Sequence, residues 1–70
     1  MDEIHIDAQG IRLGQLLKLM GWAETGGMAK ELLASGDVTV NGRPESRRGA
    51  QLSPGDVVAA AGQQVRVVAD

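Results

Sequence analysis

Hydrophobic positions change period twice along this chain. In "EIHI", Ile4 and Ile6 flank His5, the alternation of a short edge strand with His5 turned away from the core. In "IRLGQLLKLMGW" the spacing lengthens: Leu13, Leu16, Leu17 and Met20 stand at i, i+3, i+4 and i+7, one stripe of a helix. Gly21 ends that helix in the left-handed conformation open to glycine, and Trp22 is expected to cap the core just beyond it. Lys18 falls opposite the stripe, and Arg12 flanks the helix start.

"ETGGMAKELLASG" predicts a second helix, with Thr25 as its N-cap, an apolar face of Met28, Ala29, Leu32 and Leu33, and a stop at Gly36. Gly26 and Gly27 fall in its first turn, where backbone N–H groups have no partner within the helix. Two uses of that pair stay open: a close approach between helices, or a phosphate seat with Lys30 one turn on. Alone, the glycines favour the first.

Alternation returns in "DVTVNGRPE". Val38 and Val40 lead into an Asn41–Gly42 hairpin turn, and Pro44 confines the returning strand to a sheet edge. "LSPGDVV" is a Pro-Gly turn opening a strand, in which the Asp56 side chain is expected to bond nearby backbone N–H groups. "VVAAAGQQVRVVA" predicts two short strands about Gly62, with Val65 and Val67 facing together. The expected fold class is α+β: two antiparallel helices packed on a small, mainly antiparallel sheet, in one domain over residues 1–70.

Composition narrows the function. The 70 residues are 43% apolar and 23% charged, enough for one small core near the lower size limit. Trp22 is the only aromatic side chain, so the chain cannot offer the ring platform on which single-stranded bases stack. Without cysteine there is no disulfide framework or thiolate metal site. The single His5 has no neighbouring ligand, so no metal is expected. Ser35, Ser46 and Ser53 lack a base placed by sequence, the carboxylates are scattered, and the glycines form no dinucleotide or P-loop fingerprint. We therefore expect neither catalysis nor a cofactor. No apolar run is long enough for a bilayer, and "MDEIHID" has the wrong charge for a targeting signal, so a soluble cytoplasmic protein without membrane contact is expected.

The net charge of −2 conceals a polarity. Residues 11–50 hold six basic groups against four acidic ones, while the ends are acidic. Arg43, Arg47 and Arg48 fall within six residues after the hairpin turn. Such a run is commonly a solvated loop guarding a sheet edge. Against that, Arg12 and Lys18 come from the first helix and Lys30 from the second. With the helices packed inward Lys18 and Lys30 turn outward, so one surface could collect all the charges, and arginine's planar fork suits phosphate.

These residues also resemble a known family. Arg12-Leu13, Thr25, Ala29-Lys30, Gly36, Val38, Val40-Asn41-Gly42 and Gly55-Asp56 follow in order and spacing the pattern of the S4-like RNA-binding domain, over residues 11–58. "VTVNG", two residues after a helix-ending glycine, is the most specific piece. The resemblance, strongest to small stand-alone bacterial members, implies the alpha-L motif and binding to structured RNA, ribosomal or transfer, through phosphates and shape. It implies contacts at Arg12, Lys30, Asn41, Arg43, Arg47 and Arg48, with the backbone of Gly26 and Gly27 beside them; Lys18 joins them by its outward position. Thr25-Gly26-Gly27 stands where many members have Ser-Arg-Ser, so one basic contact is missing. Either affinity is lower or the bare helix start takes a phosphate. A monomer on RNA, the ribosome or its precursor is the expected working form. The rival is an adaptor or assembly factor that docks on protein with the same fold. RNA-modifying enzymes that carry this domain have a catalytic domain attached, and none is present here.

Overall fold

Two tight turns on left-handed backbone organise the sheet of this protein, whose computed structural model describes all of residues 1–70. Strands β3 (Thr39–Val40) and β4 (Arg43–Pro44) meet at Asn41 (φ 54°) and Gly42 (φ 83°). Strands β6 (Val57–Ala60) and β7 (Gln63–Ala69) meet at Ala61 (φ 53°) and Gly62 (φ 78°). Positive φ at both central residues lets a two-residue loop follow the right-handed strand twist. With β1 (Asp2–Ile6), these strands form one five-stranded sheet in the order β1-β7-β6-β3-β4. Pro44 lies on the outermost strand, where its missing donor costs nothing.

The edge position predicted for β1 holds, and its partner is new: β1 runs parallel to β7, from Asp2 opposite Val65 to Ile6 opposite Ala69. Alternation in a strand sets which face is buried and is silent about the neighbour. The Asp70 N–H extends the pairing to the Ile6 carbonyl at 3.0 Å, and His5 Nδ1 stands 3.4 Å from Asp70 Oδ1 at the exposed surface. A separate two-stranded ribbon joins β2 (Ile11–Arg12) to β5 (Gln51–Leu52).

Helices α1 (Leu13–Leu19) and α2 (Gly26–Ala34) pack on each other and on this sheet, giving two helices on a mainly antiparallel mixed sheet. Leu13, Leu16 and Leu17 are fully buried and meet Ala29, Leu33, Val38, Val58, Val65 and Val67 in the core. Met20, Trp22 and Leu32 line its rim. Trp22 closes the rim as anticipated, its indole N–H donating to Gln63 Oε1 at 2.9 Å. Met28 departs from expectation. It is 46% exposed, because α2 presents only the narrow Ala29–Leu33 stripe to the core and Met28 lies one residue round the helix from it.

Thr25 caps α2 as its sequence position predicts, with Oγ1 accepting the Met28 N–H at 3.1 Å. Thr25→Ala is expected to cost about 1 kcal/mol, lowering Tm by several degrees in a domain of this size, which a calorimetric scan would read.

Candidate nucleic-acid interface

The site begins with a loop that docks on a helix start. Residues 45–50 connect β4 to β5, and the loop is tied at both ends. The Glu45 N–H donates to the Val38 carbonyl at 3.0 Å, and the Ala50 N–H closes a turn on the Arg47 carbonyl at 3.2 Å. Its carbonyls then serve α1: Leu13 N–H donates to Ala50 O and Gly14 N–H to Arg48 O, both at 2.9 Å. Gln15 Oε1 takes the Arg12 N–H at 3.0 Å. The N–H groups of Arg12, Leu13 and Gly14 are thereby satisfied inside the protein, and the positive dipole end of α1 faces loop carbonyls.

Gly14 makes that docking possible. A Cβ there would run into Arg48 Cγ and stand 3.1 Å from Arg48 Cδ and 3.2 Å from the Arg48 carbonyl oxygen. Only a glycine lets the loop lie this close to the helix. From Gly14 the Arg48 side chain reaches across to α2, where Nη1 lies 3.6 Å from the place a Cβ on Gly26 would take. Arg12 approaches the same loop, its Nη1 3.5 Å from the corresponding place on Gly49.

The start of α2 differs from that of α1. Thr25 satisfies Met28 through its hydroxyl and Ala29 through its carbonyl, the latter at 3.0 Å. The Gly26 and Gly27 N–H groups take part in neither of these bonds and point out of the first turn. The Arg48 guanidinium therefore lies beside an open helix start, and Arg12 lies against the loop that carries it. Lys30 lies one turn beyond Gly26 on α2, and Lys18 one turn beyond Gly14 on α1, so each continues the flank its glycine begins; both are exposed.

Three of the expected contacts have other surroundings. Asn41 is engaged within the fold: Nδ2 donates to Asp56 Oδ1 at 3.0 Å, and Oδ1 accepts the Val57 N–H at 2.9 Å. Arg43 is exposed on the edge strand β4, across the ladder from Val40 at the hairpin turn. Arg47 is paired with Glu45, Nη2 to Oε1 at 3.1 Å and Nε to Oε2 at 3.3 Å. The hydrogen bond from the Arg47 side chain, with help from backbone N–H groups, holds the Glu45 carboxyl below its ordinary value, and the same bond raises Arg47. A carboxyl lowered on folding favours the folded state above its unfolded pKa, and that contribution is lost as pH falls through the lowered value.

Sequence reasoning passed over Gly14, Gln15 and Glu45. A glycine within a helical stripe, where it weakens the helix, is itself a sign of close backbone approach. An acid two residues before an arginine is likewise a readable pairing signal. No helix is long and apolar enough to cross a membrane.

Comparison with known proteins bears on this arrangement. A family model described as the S4 domain matches residues 4–68. A Bacillus subtilis (strain 168) protein named "Probable ribosome maturation protein RlbA" is 51% identical over 55 residues, covering 79% of this chain and 78% of that protein. YbcJ of Escherichia coli (strain K12) is 44% identical over 59 residues, 84% of each chain. The solution structure of YbcJ from E. coli, described as revealing an alfaL motif involved in RNA-binding, superposes with a TM-score of 0.72 at 38% identity, over 97% of this chain and 87% of that one.

Proposed function

The chain belongs to the S4 domain family, and from that premise we propose that it binds structured RNA through phosphate and shape, without a catalytic step. The observation that carries this reading is the reach of Arg48 to the open start of α2 at Gly26, with Arg12 against the same loop at Gly49. Guanidinium forks and bare N–H groups at a positive helix end both favour phosphate oxygens. Lys18 and Lys30 extend the flanks, and Arg43 and Arg47 add charge along the loop and hairpin side. Trp22, half-buried against the core rim and with its N–H used, leaves little for base stacking. Sequence-independent contact with folded RNA suits this set better than base reading.

The RNA is ribosomal, in this reading, and the protein acts in the cytoplasm as a monomer on the ribosome or its precursor. The name of the Bacillus subtilis relative, which speaks of ribosome maturation, supports the ribosome, and the RNA-binding motif described for the Escherichia coli structure supports RNA. Transfer RNA shares the same backbone chemistry and is the comparison substrate. Neutralising about four or five phosphates gives a log–log salt slope of about −3 to −4. Fluorescence anisotropy of a labelled, folded ribosomal RNA fragment, titrated at several salt concentrations, measures it. Absence of binding at low salt, or a slope near zero, would replace this reading with a protein-docking module.

A further inference from the structure

We propose that Glu45 is a selectivity residue of this face: its carboxylate occupies the fork of Arg47, so Arg47 reaches RNA only where a phosphate is placed well enough to displace it. The inference rests on the RNA-binding reading and names what regulates one of its contacts.

The basic groups of the face are of two kinds. Arg12 and Arg48 have no carboxylate partner among the ion pairs of the protein, and Arg47 has one on its own loop. The Arg47 side chain is 78% exposed and that of Glu45 only 22%, so the cation is reachable from outside and the anion sits against the protein. The carboxylate is also fixed from below. Glu45 Oε2 accepts the N–H groups of Ser46 at 3.1 Å and Arg47 at 3.2 Å. When Arg47 leaves, Glu45 therefore stays, and a fixed negative charge remains beside the incoming phosphate. Both steps oppose a loosely placed phosphate. One held by a rigid RNA surface, with Arg12 and Arg48 already engaged, has the geometry to replace the carboxylate with an equivalent two-oxygen partner. A surface pair of this sort is weak enough to exchange and strong enough to penalise a poor contact. Arg47 thus contributes to the right surface and is silent on a wrong one.

The test uses Glu45→Gln in the full chain, because glutamine keeps an oxygen for the two loop N–H groups while removing the charge. Binding to a short oligouridylate and to a folded RNA hairpin is measured across salt concentration. Oligouridylate binding is expected to tighten about three- to tenfold and its salt slope to steepen by about 0.7–0.9, one added phosphate contact. The hairpin gains less, so the ratio of the two affinities falls. Adding Arg47→Ala to Glu45→Gln abolishes the gain. Should Glu45→Gln change neither RNA while Arg48→Ala weakens both, the gate is overturned and RNA binding stands. A weakened Glu45→Gln variant, folded by circular dichroism, would make Glu45 a loop support and overturn the gate as well. If the wild type binds neither RNA, the RNA reading falls and takes the gate with it.

Discussion

Asn41→Ala is expected to lower stability by about 2–4 kcal/mol, from two lost side-chain hydrogen bonds, one to a carboxylate, and from alanine's poor fit to left-handed backbone. Asn41 sits at φ 54° in the β3–β4 turn. There its amide bridges to Asp56 at 3.0 Å and to the Val57 N–H at 2.9 Å, while its own N–H donates to the Val57 carbonyl at 2.8 Å. Asp56 in turn holds the Ser53 N–H through Oδ2 at 2.8 Å. One side chain thus joins the hairpin to the turn that opens β6. Removing it strands the Val57 donor and frees the Asp56 carboxylate. A 70-residue domain has a total stability of roughly 4–10 kcal/mol, so the loss is a large share of it. Urea unfolding followed by circular dichroism reads the change, and Asn41→Gly separates its parts. Glycine restores the φ while still lacking the bonds, so it is expected to recover about 1 kcal/mol of the deficit. Equal stability of Asn41→Ala and wild type would show that the bridge is ornamental and return the side chain to the candidate RNA contacts.

The second large effect is on binding. Replacing both Arg12 and Arg48 by alanine is expected to weaken structured-RNA binding about a hundredfold and to flatten the salt slope by about 1.4–1.8, two phosphate contacts' worth. The fold should persist, because both side chains are exposed and the docking of the loop on α1 runs through the Arg48 and Ala50 carbonyls, which the substitutions keep. Matching thermal unfolding of the double variant and the wild type would establish that. Weakened binding with an unchanged salt slope would mean the arginines hold the loop rather than touch phosphate.

Much of this architecture is legible in the order of residues. The Leu13–Leu16–Leu17 stripe, the Thr25 cap, both helix-ending glycines and the Asn41–Gly42 turn act through local chemistry, and each appears where its spacing puts it. What stays hidden depends on the third dimension. The parallel partner of β1 lies about sixty residues away, and no property of "EIHI" selects it. The arginine loop looks like a free charged run until Gly14 is seen beneath it. Asn41 shows the same difficulty: its residue type suits a turn, a hydrogen-bond bridge and a phosphate contact equally. The sequence reading expected basic residues from separate elements to share one face. It could not divide them into Arg48, which reaches the start of α2, Arg12, which lies against the loop at Gly49, and Arg47, which is held by an acid.

The position of β7 has a consequence for how the protein comes into being. It is the last strand along the chain, yet it lies between β1, the first, and β6, and it supplies Val65 and Val67 to the core. A growing chain that has reached the arginine loop already contains every basic residue of the proposed face, but the middle of its sheet is still unmade. Local helices form early at little cost, while the long-range pairing that seats them must wait for the closing strand. During synthesis the basic segments are therefore present before the scaffold that aims them, and competence for RNA arrives late and all at once.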